Sequence, residues 1–222
     1  MDFGKAFSFP FEDPDWAKKI IIPALILLIP IVGQIFALGW MLGVTRRVIR
    51  RELALLPDLQ FGEQISDGLK AFVIGLVYAL PVIIIVIPLS IVTSMTAASG
   101  ADQETVGVAV AIVSVCCYGI IFLYSILMAL VLPAAYTRMI ATGNLGAAFR
   151  FQEVIGLVRS APGPYLLVFV GSILSGLVAG LGSILCVIGV VLTYIYAMAV
   201  NGHLYGQAYN EAVANRGFAG AD

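Results

Sequence analysis

Long apolar runs separated by short polar stretches dominate the pattern of hydrophobic and polar positions in this chain. The clearest run covers residues 71–95, which are rich in Leu, Ile and Val and contain no charged residue. Two further runs without charge cover residues 106–132 and 165–204. Because a helix rises about 1.5 Å per residue, each run can cross the roughly 30 Å hydrocarbon core of a bilayer. The pattern therefore predicts membrane helices.

The last run is too long for one crossing. As a single helix, residues 165–200 would extend about 54 Å, well beyond the roughly 30 Å core. We therefore expect a tight hairpin with its turn near residues 180–183, where two glycines supply the dihedral freedom that a turn needs.

The first run, residues 16–45, allows two interpretations. It can form a single span, or the chain can turn back at Pro30 and form a hairpin of two short helices. A single span places Lys18 and Lys19 outside the cell, whereas a hairpin places them on the same side as the other basic loops. We favour the hairpin because loops rich in Lys and Arg stay in the cytoplasm.

Basic residues cluster in two loops. One contains Arg46, Arg47, Arg50 and Arg51, and the other contains Arg138, Arg150 and Arg159. The excess of Lys and Arg in cytoplasmic loops predicts that both loops lie inside. We expect both termini to be cytoplasmic as well, in a multi-pass protein of a prokaryotic cell membrane.

A short motif recurs before two of the apolar runs. Phe61 and Glu63 lie two residues apart, as do Phe151 and Glu153 ninety residues later, and Phe11-Glu12-Asp13 holds a similar place before the first run. Residues 151–158 carry apolar side chains at helical spacing, which predicts an amphipathic helix in the membrane interface. Residues 61–69 show a similar stripe.

These patterns predict an all-α fold with five to six membrane helices in about three hairpins, joined by interfacial amphipathic helices. We expect one integral membrane domain over residues 1–222. Its hairpins are residues 16–45, residues 71–95 with 106–132, and residues 165–204.

Composition agrees with a membrane protein. Hydrophobic residues make up 61% of the 222 residues and charged residues 11%, and the mean hydropathy is +1.03. A soluble domain carries about a quarter charged residues. The net charge of −1 argues against nucleic acid as a partner, because nucleic-acid-binding domains are basic.

Catalytic chemistry has few residues to use. The chain has a single histidine, and it lacks the known motifs for metal-dependent, phosphate-binding or nucleophilic catalysis. We therefore expect no catalytic residue, no cofactor and no metal, and a protein that is not an enzyme. The apolar runs also contain no charged residue, which disfavours an ion-coupled transporter.

Two groups of polar residues are candidate contact sites. Arg46, Arg47, Arg50 and Arg51 can bind anionic lipid headgroups, or they can serve only to orient their loop. The second group consists of Gln34, Asn201, His203 and Gln207. These residues can contact headgroups or partners, or they can simply lie at a helix break and a helix end.

Small residues recur at four-residue spacing in three places, which permits close helix approach within one chain or between copies. These residues are Gly39 and Gly43; Ser172, Gly176 and Gly180; and Gly202 and Gly206.

The resulting hypothesis is a scaffold or accessory subunit that contacts membrane lipids and other membrane proteins or a second copy of itself. The alternative is a channel or transporter for a small neutral or lipid-like solute, with helices broken at Pro30, Pro81 and Pro88.

Several motifs are similar to those of a known family. They are Phe-Pro-Phe-Glu-Asp-Pro-Asp-Trp-Ala-Lys-Lys at residues 9–19, residues 29–33, residues 38–44 with the arginines that follow, Leu-Pro-Asp at 56–58, and residues 67–71. Over nearly its whole length the chain resembles the prokaryotic membrane family known as domain of unknown function four thousand and thirteen. The resemblance implies a multi-spanning membrane protein of bacteria or archaea, and it implies no activity and no site residue.

Overall fold

The computed structural model describes residues 1–98 and 103–219, and all regular structure in these two ranges is helical. The predicted all-α class is confirmed. The α-helices in these ranges are α1 (Phe3–Ser8), α2 (Trp16–Leu27), α3 (Val32–Ile49), α4 (Phe61–Ala98), α5 (Gln103–Thr142), α6 (Phe151–Ser160), α7 (Pro162–Leu181) and α8 (Cys186–Ala219).

Four helices in the described residues are long and apolar enough to cross a membrane. The qualifying segments are Phe61–Thr96 in α4, Gly107–Thr142 in α5, Pro162–Ile184, which begins with α7, and Cys186–Gly217 in α8. These segments agree with a membrane-embedded protein.

The chain forms two compact units. The first contains Met1–Ile74 and Leu130–Asp222, and the second contains Gly75–Ala129. The first unit therefore holds α1 to α3, the beginning of α4, the end of α5, and α6 to α8.

Helix α3 lies in the core of the first unit and packs against α2 and α8, which also contact each other. Phe36, Trp40 and Val44 of α3 are fully buried, and Ile195 of α8 belongs to the same core. Helices α3 and α8 run in the same direction. Thr45 Oγ1 donates to the Gly202 carbonyl at 3.0 Å, and further along both helices Asn210 Nδ2 donates to the Val48 carbonyl at 3.0 Å.

Helices α2 and α3 divide the first apolar run in two. Helix α2 ends at Leu27, and α3 begins at Val32 after a turn in which Ile31 has φ 66° and ψ −60°. Val32 N–H donates to the Pro30 carbonyl at 2.7 Å, which closes a three-residue γ-turn. The break between α2 and α3 therefore lies at Pro30, where the sequence predicted that the chain could turn back.

Helices α7 and α8 are antiparallel neighbours. Thr193 Oγ1 donates to the Ala179 carbonyl at 3.0 Å, and Ser175 Oγ donates to Asn201 Oδ1 at 3.2 Å. Their connection lies slightly later than expected, at the 3₁₀ turn Gly182–Leu185, and the residue with positive φ is Cys186 at 56°.

The predicted role of glycine in that turn is wrong. Gly182 has φ −58°, which any residue can adopt. A Cβ at this position would lie 2.6 Å from the Gly189 carbonyl oxygen, so the missing side chain permits close packing rather than an unusual dihedral angle.

The expected interfacial helix before the second apolar run is also wrong. Residues 61–70 are the first turns of α4, since no proline interrupts the chain between Phe61 and Tyr78. The motif at Phe151 and Glu153 does lie in a separate helix, α6, because Pro162 follows that helix. The residue before a proline avoids the helical region, and Ala161 is extended at φ −143°. The similar motif Phe11-Glu12-Asp13 lies at the end of the 3₁₀ turn Phe9–Glu12.

The second unit contains the most exposed apolar helices. In the most apolar window of α5 only 6% of residues are buried, against 44% in α8. Val115 is 72% exposed and Phe122 66%. Within this unit Tyr124 donates its hydroxyl to the Tyr78 carbonyl at 2.7 Å.

The prolines of α4 do not break it. Pro81 and Pro88 both lie inside a continuous helix, contrary to the expectation of breaks there. Beyond Pro88, Ser90 donates its hydroxyl to the Ile87 carbonyl at 2.8 Å, within the same helix. Membrane helices tolerate internal proline.

Two of the three predicted glycine spacings serve packing within the chain. A Cβ at Gly202 would lie 2.5 Å from the Met41 carbonyl oxygen, and one at Gly206 would lie 2.6 Å from Val48 Cβ. Gly176 and Gly180 of α7, in contrast, have open space beside them.

Candidate functional site

The four arginines at the end of α3 form two pairs that differ in exposure and in their ion pairs. Arg46 and Arg47 have side chains only 21% and 19% exposed, and each makes ion pairs with carboxylates. Arg50 is 66% exposed and lies 4.0 Å from Glu52. Arg51 is also exposed and has φ 56°. The four arginines predicted to contact headgroups are therefore not equivalent.

Arg46 joins α3 to the beginning of α4. Its two terminal nitrogens donate to Glu63 and to Asp67, and the Asp67 side chain is only 7% exposed. Asp67 also accepts from Lys70 Nζ at 3.0 Å, so this buried carboxylate is neutralised by two cations. Buried ion pairs need such additional hydrogen bonds to offset their loss of hydration.

The contact between α3 and α4 depends on two glycines. A Cβ on Gly39 would lie 2.6 Å from the Gln64 carbonyl carbon, and a Cβ on Gly68 would lie 2.7 Å from the Ile35 carbonyl carbon. The two backbones therefore touch directly. This close approach brings Arg46 within reach of Asp67, although the two residues are 21 positions apart.

Arg47 organises the loop between α3 and α4. It donates to the carbonyls of Ala54 at 3.0 Å and Leu56 at 3.1 Å, and to Asp58 at 3.4 Å. Three acceptors from one loop hold that loop against the end of α3. The loop therefore has a defined shape although it contains no regular structure.

Lys19 connects α2 to the same loop. Its ammonium lies 2.8 Å from Asp13 and 3.4 Å from Asp58. Burial alone would lower the pKa of Lys19, but the hydrogen bond and charge of Asp13, with the charge of Asp58, raise it above its usual value. Burial likewise would raise the pKa of Asp58, but Lys19 and Arg47 outweigh it and hold this pKa below its usual value.

A polar cavity of about 150 Å³ lies between the end of α3, the loop and the first turns of α4. Two glycines and ten larger residues line it: Gly39, Gly43, Arg46, Arg47, Arg50, Glu52, Pro57, Asp58, Gln60, Glu63, Gln64 and Asp67. Three guanidinium groups and four carboxylates therefore surround one small space.

Gln64 borders this cavity and is itself buried, with 4% of its surface exposed. Its Nε2 donates to the Asp58 carbonyl at 3.0 Å, and its Oε1 is buried without a partner. Because less than 1 Å² of this oxygen is accessible to solvent, a molecule in the cavity does not reach it.

The remaining sequence-predicted polar residues lie elsewhere. Gln207 accepts from the backbone N–H of Asp2 at 2.9 Å and donates to the Asp2 carbonyl at 3.1 Å. It also lies 3.1 Å from Nδ1 of His203, which is 3% exposed and stacks on Phe9 with ring centroids 4.6 Å apart. These residues dock the N-terminal segment onto α8.

Asn201 and Gln34 also lie away from the arginine end. Asn201 accepts from Ser175 and joins α8 to α7. Gln34 is exposed near the beginning of α3, and its Oε1 accepts from the Tyr194 hydroxyl at 3.4 Å. The second polar group is therefore not one site.

Sequence reasoning missed a longer repeat that contains the ion pairs. Each copy has Thr-Arg near the end of one helix and Phe-x-Glu at the start of the next: Thr45, Arg46, Phe61 and Glu63, then Thr137, Arg138, Phe151 and Glu153. In both copies the threonine is fully buried and the arginine pairs with the glutamate. The recurrence of Thr-Arg at nearly the same offset as the Phe-x-Glu motif was the available signal.

The described part of the chain does not bring together the side chains of a metal site. Residues 1–98 and 103–219 contain no group of three or more His, Cys, Asp and Glu side chains arranged to hold a metal ion. The expectation of a non-enzymatic protein stays a prediction.

A protein-family model matches most of the chain. The model of the family described as "Protein of unknown function (DUF4013)" matches residues 22–188. No curated protein and no solved structure matches the chain. The matched segment contains α3, the arginine cluster, the polar cavity and both copies of the Thr-Arg repeat. The chain therefore belongs to the DUF4013 family.

Proposed function

We propose that this protein is a non-enzymatic scaffold or accessory subunit of a prokaryotic cell membrane, which contacts lipids at its charged end and other membrane proteins along α4 and α5. The observation that carries the proposal is the exposed apolar surface of the second unit. Residues 71–98 and 105–137 contain no charged residue. As helices they extend about 42 Å and about 50 Å, beyond a hydrocarbon core of about 30 Å.

A surface of this length needs more than lipid tails to cover it. Exposed apolar patches far larger than a few hundred Å² mark contact with a membrane or a protein. Lipid covers about 30 Å of each helix. Tilt can accommodate some of the excess, and a partner protein can cover the rest.

We further propose that the chain enters the membrane as three hairpins from the cytoplasmic side. Helix α2 has 12 residues and extends about 18 Å, too short to cross alone. The ion pair of Lys19 with Asp58 joins the beginning of α2 to the loop after α3, which supports entry and exit on the same side. Reporter fusions in the loops at residues 54 and 144 should report cytoplasm, and a fusion at residue 100 should report the outside. A segment before α2 that reports the outside would refute this topology.

The scaffold proposal is tested by site-specific photo-crosslinking in native membranes. A benzophenone side chain at Phe122 on α5 should yield one discrete protein adduct. The matched control is Leu177 on α7, which is 63% exposed against 66% for Phe122 and should yield lipid adducts. Lipid adducts alone at both positions would refute a protein-binding α5 surface.

One observation favours the alternative of a channel or transporter. The break between α2 and α3 places exposed Gln34 beside Tyr194, and broken helices often line solute pathways. Solute uptake by vesicles containing the purified protein, abolished by Gln34→Leu, would favour transport over scaffolding.

A further inference from the structure

We propose that the polar cavity between α3 and α4 binds the headgroup of a phospholipid that carries a phosphodiester and a primary ammonium. This inference rests on the membrane location in the proposed function. It names the lipid class that the charged end contacts.

The cavity lies where the chain changes from apolar to charged. Residues 32–44 of α3 carry no charge before Arg46, and residues 71–98 of α4 carry none after Lys70. Because apolar residues end near the hydrocarbon boundary, the residues of the cavity lie at the level of lipid headgroups. A headgroup therefore has direct access to this space.

The charges of the lining favour a zwitterionic ligand. Three arginines and four carboxylates line the cavity, so its formal charge is close to zero. A ligand with only negative charge would face four carboxylates, and a ligand with only positive charge would face three guanidinium groups. A ligand with both charges can place each one beside its complement.

The phosphate position is identified by Arg50. This side chain is 66% exposed, and its nearest carboxylate oxygen, on Glu52, is 4.0 Å away. Arg46 and Arg47, in contrast, already donate to several acceptors. Arg50 therefore keeps its fork of N–H donors for a phosphodiester at the mouth of the cavity.

The ammonium position is identified by the Glu63 carboxylate. Glu63 pairs with Arg46 through Oε1, and its side chain is 48% exposed. A primary ammonium has three N–H groups and can donate one of them to Oε2 of this carboxylate. The volume of about 150 Å³ is similar to one that accommodates benzene, and it is large enough for an aminoethyl group.

A quaternary ammonium fits this cavity poorly. It has no N–H to donate to Glu63, and proteins recognise it mainly through aromatic rings. The residues that line this cavity include no aromatic side chain. Recognition should therefore discriminate ethanolamine from choline headgroups.

The experiment uses the purified, delipidated full chain and native mass spectrometry. The protein is offered an equimolar mixture of phosphatidylethanolamine, phosphatidylcholine and phosphatidylglycerol with the same acyl chains. We expect about tenfold preferential retention of the ethanolamine lipid, which corresponds to about 1.4 kcal/mol. Equal retention of the ethanolamine and choline lipids would overturn the proposal.

Variants separate the two halves of the site. Glu63→Gln should bring the ethanolamine-to-choline ratio toward one, because it removes the negative charge that accepts from the ammonium. Glu63 is half-exposed, so this variant should fold. An unchanged ratio in a folded Glu63→Gln protein would contradict the proposal.

Arg50→Gln should reduce retention of the ethanolamine lipid severalfold. Arg51→Gln is the matched control, because it removes the same charge from a neighbouring exposed residue that does not line the cavity. Equal losses in the two variants would indicate general surface attraction and overturn the site.

Soluble glycerophosphoethanolamine distinguishes a lipid from a soluble ligand of the same chemistry. It should displace the lipid only at much higher concentration, since it lacks acyl chains. Displacement at equal concentration would overturn the lipid assignment. The crosslinking from α5 does not involve this cavity, so its outcome tests the scaffold function separately.

Discussion

Replacing Gly39 with alanine tests the close contact between α3 and α4. The added Cβ would lie 2.6 Å from the Gln64 carbonyl carbon and 2.8 Å from Gly68 N, whereas ordinary contacts lie at 3.4–4 Å. The Gln64 carbonyl oxygen would lie closer still, so the helices must separate by more than the roughly 0.8 Å that restores the first of these distances to 3.4 Å. Overpacking of this kind typically costs about 1–3 kcal/mol.

Alanine also has an intrinsic advantage in a helix. It is favoured over glycine by about 0.5–1 kcal/mol, which partly offsets the steric cost. We therefore expect Gly39→Ala to lower the free energy of unfolding by about 1–2 kcal/mol. In a protein of this size that is a decrease of several degrees in melting temperature, measurable by thermal unfolding in detergent.

The matched control is Gly176→Ala in α7. Gly176 also lies inside a helix, but a Cβ there would meet nothing within 4 Å. Only the helix propensity changes, so this variant should be more stable than the wild type by about 0.5–1 kcal/mol. If Gly39→Ala is as stable as Gly176→Ala, the direct backbone contact between α3 and α4 is refuted.

Three further predictions concern charges and strain. Asp67→Ala should lower the free energy of unfolding by about 3 kcal/mol, because Arg46 loses a buried partner. This value is the lower end of the range for breaking a buried ion pair. Chemical unfolding measures the loss, and a loss below about 1 kcal/mol would contradict the prediction. The pKa of Asp58 is lowered on folding, so its stabilising effect is present above its usual pKa near 3.8 and is lost as the pH falls through the folded value. The melting temperatures of wild type and Asp58→Asn should therefore differ at neutral pH and converge in acid, and a constant difference would refute the ion pair with Lys19. Ile31→Gly should stabilise the protein by about 0.5–1 kcal/mol in thermal unfolding, because it relieves a positive φ at an exposed β-branched residue; no gain would show that the turn is unstrained.

Local sequence determined much of the helical structure, and it also contained signals that were overlooked. Pro162 ends α6 because the preceding residue cannot remain helical, and this could be predicted from the sequence. The absence of proline between residues 61 and 78 likewise allows α4 to begin early. Both outcomes depend on steric clashes between neighbouring residues, which a sequence states directly.

The role of glycine was harder to predict. Gly182 looked like a turn residue, but its conformation is ordinary and the positive φ falls on Cys186. Gly39 and Gly176 both stand in small-residue repeats, yet only Gly39 touches another backbone. Spacing shows that close approach is possible, and only the packing of helices shows where it happens.

The all-α class and the membrane location follow from the pattern of residues along the chain. Long charge-free runs cannot face water, and in lipid every backbone polar group must be paired, which favours helices. The packing of distant segments sets that Arg46 and Arg47 are paired while Arg50 is mostly exposed, and that Gln64 Oε1 is buried without a donor. These properties depend on distances between residues far apart in the chain. Such distances are set by how closely α3 and α4 pack, not by the residues beside them in the sequence.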